Sequence, residues 1–204
     1  MTEVVGCILA GGLARRMGGG DKGLIRLGGR LVLDHVLDRL KPQVSQIILN
    51  ANGDPSRFAG HGLPVVADSI EGFAGPLAGV LAGLDWAHDN TDAQWVATAA
   101  TDTPFFPADF VTRMLDGIKA DGADMACAAS GGRHHPVFGL WPVRLAADLR
   151  HALADEGIRK VDLWTARHKL AAVEFAGCPH DPFFNVNRPE DVEEAERIAA
   201  GIAA

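Results

Sequence analysis

The sequence has no apolar run of the roughly 20 residues that would span a bilayer, and its first residues are expected to form a strand rather than an export signal. Its first residues, MTEVVGCILAGG, include an acidic residue but no basic segment and no cleavage pattern. It contains only three cysteines, Cys7, Cys127 and Cys178, widely spaced and without a CxxC pair. The odd number and wide spacing of these cysteines argue against a disulfide framework or a Cys/His metal site. We therefore expect a cytoplasmic protein with no membrane partner, whose thiols are small buried side chains.

Positive charge is also scarce, since 19 lysines and arginines stand against 26 aspartates and glutamates, a formal net charge of −7. Nucleic-acid-binding domains usually carry a broad basic face, so we expect no nucleic-acid partner. A small anionic ligand is compatible with this balance, because it needs only a local cluster of cations. The chain has 204 residues and no repeat, low-complexity tract or linker, so residues 1–204 are expected to form one domain.

Short apolar runs alternate with longer segments that repeat apolar residues at helical spacing. The predicted strands are VVGCILA (4–10), SQIILNA (45–51), LPVVA (63–67), QWVATAA (94–100), ADMACAA (123–129) and HPVFGLW (135–141). The predicted helices are residues 31–42, 75–89, 107–120, 142–155 and 188–201. Pro107 is expected in a first helical turn, and Pro42 and Gly122 at helix ends. This alternation predicts an α/β fold, a three-layer, doubly wound and mostly parallel sheet.

Polar stretches follow four of the predicted strands. They are a glycine-rich loop after the first strand, NAN (50–52), ADS (67–69) and ATDTPFF (100–106). In open α/β sheets, ligands bind outside the carboxyl ends of the strands. The coincidence of these stretches therefore predicts a binding site at one edge of the sheet.

The glycine-rich loop, within LAGGLARRMGGGDKG (9–23), combines backbone freedom with cations. It contains a formal G-x-G-x-x-G, but this lies beyond the strand and opens no predicted helix, so a dinucleotide fold is not indicated. No Gly-Lys-Ser/Thr follows, which excludes a P-loop. Glycines let backbone N–H groups converge on phosphate oxygens, and Arg16 and Lys22 would add charge-assisted contacts. The loop therefore predicts a polyphosphate site. The alternative is that this glycine-rich loop has no function. Arg15 could also be a solvated surface charge.

Asp102 follows an apolar strand, where an unpaired carboxylate would be costly to bury. It could cap a helix that begins near Pro104 or Pro107. It could instead bind Mg²⁺, which takes one or two carboxylates and completes its coordination with water and phosphate oxygens.

The segment LAGGLARRMGGGDKGLIRLGGRLVLDHVLDRL resembles the N-terminal signature of the molybdenum cofactor guanylyltransferases, of form LAGG-x3-RMGG-x-DK-x-L. The resemblance continues in the family's order through ILNAN, VVADS, GPLAG, TDTPF, HPVFGL and FFNVNRPEDV, and so covers nearly the full length. Two segments depart from the family pattern: Arg30-Leu31 replaces the more usual Lys-Pro, and ASGGRHHP varies. Neither departure touches the nucleotide motifs, although the second could alter how the pterin is held.

By position, the resemblance implies a set of site residues. GTP contacts are implied at Leu9, Ala10, Gly11, Gly12, Lys22, Asn50, Asp68 and Asp102. Catalytic roles are implied for Arg16, Lys22 and Asp102, with Asp102 also the metal ligand, and the cofactor side is implied at Asn185 and Asn187. Each has a structural alternative: Lys22 could be a surface lysine, Asn50 could end a strand, and the two later asparagines could tie the last helix to the sheet. The Asp68 carboxylate could cap a turn, or accept guanine N–H donors or ribose hydroxyls.

The resemblance also implies a reaction, the transfer of GMP from GTP to the terminal phosphate of Mo-molybdopterin, with release of pyrophosphate and with Mg²⁺ as cofactor. Other cofactor-biosynthesis proteins and recipient molybdoenzymes are implied as partners. A molybdopterin cytidylyltransferase, a related sugar-phosphate nucleotidyltransferase, or a GTP-dependent cofactor-delivery protein without turnover are the alternatives. The second glycine of LAGG favours the guanylyl branch, because the sister group tends to carry LAAG.

Overall fold

One seven-stranded sheet forms the centre of the fold. The computed structural model describes residues 2–11, 21–70, 72, 75–177 and 180–203. The strands in these residues are β1 (Val4–Leu9), β2 (Arg26–Leu27), β3 (Arg30–Leu31), β4 (Gln46–Asn50), β5 (Val65–Val66), β6 (Trp95–Ala100), β7 (Met125–Ser130), β8 (Arg133–Pro142) and β9 (Leu170–Glu174). The helices are α1 (Val32–Leu40), α2 (Pro76–Asn90), α3 (Phe110–Asp121), α4 (Ala146–Ala154), α5 (Val161–Thr165) and α6 (Pro189–Ala203).

The strand order across the sheet is β5-β4-β1-β6-β8-β7-β9, and β2 pairs with β3 in a separate hairpin. Strand β8 runs antiparallel to its neighbours β6 and β7, while the other pairs within the sheet are parallel. The prediction of a mostly parallel α/β sheet is therefore confirmed. The four strands β5, β4, β1 and β6 end side by side at one edge of the sheet.

Helices cover both faces of the sheet, because side chains alternate along each strand between two cores. In β1, Ile8 packs in the core that includes apolar residues of α1 and α3, such as Leu33 and Phe110. Its neighbour Cys7 packs in the core that includes apolar residues of α2, α4 and α5, such as Leu81 and Trp164. A third, smaller apolar cluster joins α6 to the β2–β3 hairpin. The result is the predicted three-layer arrangement.

The predicted strands and helices are all present, but some boundaries differ. Helix α3 begins at Phe110 and not at Pro107. Its first turn has no local side-chain cap, and the Gln43 side chain accepts a hydrogen bond from the Val111 N–H at 2.8 Å instead. Gly122 ends this helix with φ of 57°, as predicted for a glycine in the left-handed region. Residues 41–43, with Pro42, form a 3-10 turn directly after α1.

Two cysteines are inert buried side chains, as expected. Cys7 and Cys127 are both buried, and burial raises the pKa of each thiol to about 12. Both therefore remain protonated near neutral pH and are poor nucleophiles. Cys178 lies outside the described residues. None of the described helices combines the length and the apolar character that crossing a membrane would require.

Candidate active site

A pocket of about 520 Å³ opens at the carboxyl edge of β5, β4, β1 and β6. Its lining residues are Leu9, Gly11, Lys22, Asn50, Asn52, Asp68, Gly75, Pro76, Ala100, Thr101, Asp102, Val137, Asn185 and Asn187. Most come from the four strand ends, from the start of α2 and from the segment before α6; Lys22 lies in a 3-10 turn before β2, and Val137 lies in β8. The four polar stretches that were predicted to meet at one edge all contribute to this pocket.

The end of β1 provides a backbone surface for the pocket. Ala10 is buried, and its N–H donates to the Asn50 carbonyl at 2.8 Å. A Cβ placed on Gly11 would meet no atom of the described chain within 4 Å, so this glycine leaves the space above β1 open. Gly12, Arg15 and Arg16, named as site candidates or cations from the sequence, lie outside the described residues.

Helix α2 approaches the strand ends very closely, and Gly79 makes this possible. A Cβ at Gly79 would lie 2.3 Å from Oδ1 of Asn50 and 2.7 Å from Cδ2 of Leu9. The close packing brings the first turn of α2, with Gly75 and Pro76, to the pocket wall. The positive end of the helix dipole at this turn favours anions.

At the β4–β5 side of the pocket, two asparagines hold the carboxylate of Asp68. Asn50 Nδ2 donates to Asp68 Oδ1 at 3.0 Å, and Asn52 Nδ2 donates to Oδ2 at 2.8 Å. The Asp68 N–H donates in return to Asn52 Oδ1 at 2.9 Å. Both carboxylate oxygens are therefore held in fixed positions. Asn50 does end β4, as its structural alternative has it, and its side-chain amide also bonds to Asp68.

At the β6 side, Lys22 and Asp102 form an ion pair. The Lys22 ammonium lies 2.9 Å from Asp102 Oδ2, and it also donates to Asn187 Oδ1. The two charged side chains are only 20% and 16% exposed. Lys22 is therefore not a free surface lysine, and Asp102 uses its carboxylate for this pair rather than to cap α3.

The segment of the two later asparagines runs beside Asp102. The Val186 N–H donates to the Asp102 carbonyl at 2.7 Å, and Thr103 Oγ1 donates to Asn185 Oδ1 at 2.6 Å. These bonds attach residues 185–187 to the end of β6 and bring both asparagines to the pocket wall. Asn185 thus ties this segment to the end of β6, whereas Asn187 bonds to Lys22, and both line the pocket.

A buried polar chain fastens the start of the same segment. Ser130 Oγ lies 2.7 Å from His135 Nε2 and donates to Asp181 Oδ1 at 2.9 Å, and the His135 ring stacks on Phe183 at 4.4 Å. Burial lowers the pKa of His135, so the ring is neutral at pH 7. Its role here is structural. His134, the other histidine of the pair, is exposed.

Two residues at or beside the pocket, Asn52 and Arg57, were not singled out individually from the sequence. Asn52 is the second asparagine of NAN, and only the first was singled out. Arg57 lies with Nε 3.2 Å from Asp21 Oδ2, and its guanidinium donates to the Asn52 carbonyl at 2.6 Å. It therefore links Asp21, the neighbour of Lys22, to the Asn52 side of the pocket. In the sequence, Arg57 is 36 positions from Asp21, and no local pattern indicates that the two side chains meet.

Comparison with known proteins identifies the family. Residues 6–170 match the model of the MobA-like NTP transferase domain. The molybdenum cofactor guanylyltransferase of Bradyrhizobium sp. (strain ORS 278) is 58% identical over 200 residues, covering 98% of this chain and 94% of its own. That of Rhodopseudomonas palustris (strain BisB5) is 60% identical over 193 residues, covering 94% and 92%. The chain belongs to the molybdenum cofactor guanylyltransferase family.

Members of this family are nucleotidyltransferases, and the fold agrees with that assignment. The crystal structure of molybdopterin-guanine dinucleotide biosynthesis protein A from Archaeoglobus fulgidus superposes with a TM-score of 0.75 at 23% identity, covering 97% of this chain and 99% of that one. At this identity the likeness concerns the fold alone. The resemblance that was recognised in the sequence motifs is thus confirmed at the level of family and fold.

Proposed function

We propose that this guanylyltransferase-family enzyme transfers GMP from GTP to the terminal phosphate of Mo-molybdopterin and releases pyrophosphate. The observation that carries the proposal is the single pocket in which Asn50, Asp68, Lys22, Asp102 and the two later asparagines meet. The curated relatives bear the name of this activity. Proteins that supply Mo-molybdopterin and molybdoenzymes that receive the product are the further partners that such a reaction requires.

The nucleotide would lie along the strand ends, with its triphosphate towards Lys22. The open backbone at Gly11, the first turn of α2 and the Lys22 ammonium all favour negative charge. Arg16, from the same glycine-rich loop, is the further cation proposed for the triphosphate. Asn185 and Asn187 would lie towards the molybdopterin, because their amide groups both donate and accept hydrogen bonds.

The oxygens around Lys22 suit a divalent cation. Asp102 Oδ2 and Asn187 Oδ1 both contact the Lys22 ammonium, so the chain already places hard oxygen atoms around a positive charge. No cluster of three or more His, Cys, Asp or Glu occurs in the part of the chain that is described. A single carboxylate is nevertheless typical of Mg²⁺ sites in which phosphate oxygens and water complete the coordination. Mg²⁺ held by Asp102 would act as a Lewis acid towards the phosphate oxygens.

The chemistry demands charge neutralisation more than proton transfer. The terminal phosphate of molybdopterin is already an anion near neutral pH, so its attack on the α-phosphorus of GTP needs no dedicated base. One P–O bond forms to the incoming phosphate and one breaks to the departing pyrophosphate. Lys22 would neutralise the charge that develops on the pyrophosphate, once its ammonium has moved from Asp102 to the phosphate oxygens. The pocket would hold both anions in line and so reduce the entropic part of the barrier.

Pyrophosphate release from GTP plus Mo-molybdopterin, with the dinucleotide product measured in parallel, tests the proposal. Lys22→Ala and Asp102→Ala should each lower the rate at least about tenfold, the scale of a lost electrostatic contact to the transition state. Lys119→Ala and Asp116→Ala, at exposed positions on α3, are the matched controls and should keep the wild-type rate. The proposal fails if CTP replaces GTP equally well, or if both pocket variants turn over normally with unchanged Mg²⁺ dependence.

A further inference from the structure

The second asparagine of NAN has a role in nucleotide selection that neither the motif nor the family name assigns. We infer that Asn52 is a positioning residue, which orients the Asp68 carboxylate so that its two oxygens accept the N1–H and 2-amino N–H of guanine. This inference rests on the proposed function and names the group that makes the same pocket select GTP.

Asn52 controls the orientation of Asp68 from two sides. Its amide NH2 group donates to Asp68 Oδ2 at 2.8 Å, and its amide oxygen accepts from the Asp68 N–H at 2.9 Å. The main chain of Asn52 is itself held, because the Arg57 guanidinium donates to its carbonyl at 2.6 Å. Asn50 contacts the other carboxylate oxygen from the opposite side. Rotation of the carboxylate would break at least one of these bonds, so its plane is set before any ligand arrives.

A carboxylate held in this way matches one nucleobase. An ionised carboxylate only accepts hydrogen bonds and has about four acceptor sites, of which the two asparagines occupy two. One acceptor site on each oxygen remains, which suits two parallel N–H donors, as in a bidentate pair. Guanine presents two such donors side by side, at N1 and at the 2-amino group. Cytosine and adenine place their amino group beside a ring nitrogen that accepts, and this nitrogen would repel the second oxygen.

The position of Asp68 favours the base over the ribose. Asp68 follows β5, which lies three strands from β6; Asp102 follows β6 and pairs there with Lys22. At a spacing of about 4.8 Å per strand, the two ends of the pocket are about 14 Å apart. In a nucleotide the ribose adjoins the α-phosphate and the base is the more distant group. With the triphosphate at Lys22, the base is therefore the part that reaches Asp68.

The charges at the two ends support the same orientation. Among the described residues that line the pocket, Lys22 is the only one with a cationic side chain, and it lies at the β6 end. Asp68, at the β5 end, would repel a phosphate but attract neutral N–H donors. The neutral base and not the triphosphate is thus the group that this end accepts.

Calorimetric titration with GTP, ITP and 2′-deoxy-GTP in the presence of Mg²⁺ tests the inference, because ITP lacks the 2-amino group. We expect the wild-type enzyme to bind GTP about tenfold more tightly than ITP, because ITP loses one charge-assisted hydrogen bond to Asp68. In Asn52→Ala, GTP binding should weaken about tenfold and the GTP/ITP ratio should fall to about threefold or less. The KM for GTP should rise while kcat stays within about threefold, since Asn52 does not touch the reacting atoms.

Two further variants separate positioning from general damage. Asn52→Asp keeps the shape and the acceptor but places a second carboxylate against Asp68, so its GTP/ITP ratio should fall at least as far as in Asn52→Ala. Asn90→Ala, at an exposed position near the end of α2, should keep the wild-type ratio. Thermal unfolding should show all three variants folded, because Asn52 is also exposed.

The outcomes that overturn the inference are distinct from those that overturn the function. If Asn52→Ala lowers the affinity for GTP and ITP equally, Asn52 has a structural role only. If the ratio of GTP to 2′-deoxy-GTP collapses instead, Asp68 contacts the ribose. In both cases guanylyl transfer by the wild type would still stand. If the wild type neither binds GTP nor transfers its guanylyl group, the proposed function and the inference fall together.

Discussion

Separating the Lys22–Asp102 pair should destabilise the nucleotide-free protein, and a double-mutant cycle measures by how much. At a separation of 2.9 Å and an effective dielectric constant of about 20, two unit charges attract by roughly 6 kcal/mol. Desolvation offsets most of this attraction. Exposed pairs retain about 0.2–1 kcal/mol, whereas breaking a fully buried pair costs about 3–5 kcal/mol. With side chains 20% and 16% exposed, the pair is intermediate, and we expect a coupling free energy of about 1–2 kcal/mol.

The assay is urea unfolding at pH 7, without nucleotide or divalent cations, of the wild type, Lys22→Met, Asp102→Asn and the double variant. The Arg30–Asp38 pair is the matched control, because its N–O distance is 2.8 Å but its side chains are 51% and 63% exposed. The same cycle there, with Arg30→Met and Asp38→Asn, should give at most about 0.5 kcal/mol. Additivity within about 0.5 kcal/mol at Lys22 and Asp102 would show that the ammonium does not contact the carboxylate before nucleotide binds.

Two further predictions concern the packing around the site. Gly79→Ala should lower the free energy of unfolding by about 1–3 kcal/mol and weaken GTP binding, because the new Cβ would displace Asn50. Gly201→Ala, where a Cβ would meet no described atom within 4 Å, should be neutral or stabilising by up to about 1 kcal/mol. Equal stabilities of the two variants in urea would contradict this prediction. Burial lowers the pKa of His135 below its ordinary value of 6.5. As pH falls, the unfolded chain therefore takes up this proton before the folded chain does. The stability that the neutral ring contributes is present above about pH 6.5 and is lost as pH falls below it. The urea midpoint should therefore drop less between about pH 7 and pH 5.5 in His135→Gln than in the wild type or in His134→Gln, and identical pH profiles would refute the assignment.

Much of the fold could be predicted because parallel strands buried on both faces are continuous apolar runs. VVGCIL and WVATAA, now β1 and β6, stand out for this reason. The hairpin of β2 and β3 could not be predicted, since each strand has two residues and depends on Gly28 and Gly29, with φ of 57° and 80°. The edge strand β9 was also missed, because its mixed LAAVE sequence owes its conformation to pairing with β7.

For the candidate site, too, the local features could be predicted and the long-range contacts could not. Its location followed from the polar residues at strand ends, a property that is local in sequence. Its contacts are not local: Lys22 reaches Asp102 across 80 positions and Asn187 across 165. The assignment of Asn52 depends likewise on a partner 16 positions away. No spacing rule connects such residues, so only the folded structure could show that each contacts the other.

The charges in the pocket determine which form of the nucleotide it can accept. The described lining residues supply one positive charge, at Lys22, and two negative charges, at Asp68 and Asp102. A free triphosphate would meet net repulsion from this set, and the Lys22 ammonium is already paired with Asp102. Arg15 and Arg16 add two cations in the sequence of the glycine-rich loop. Lys22 can leave Asp102 without exposing an uncompensated carboxylate only if another cation replaces it there. The nucleotide should therefore enter as its magnesium complex, because that species brings the replacement charge with it and frees the lysine for the phosphates.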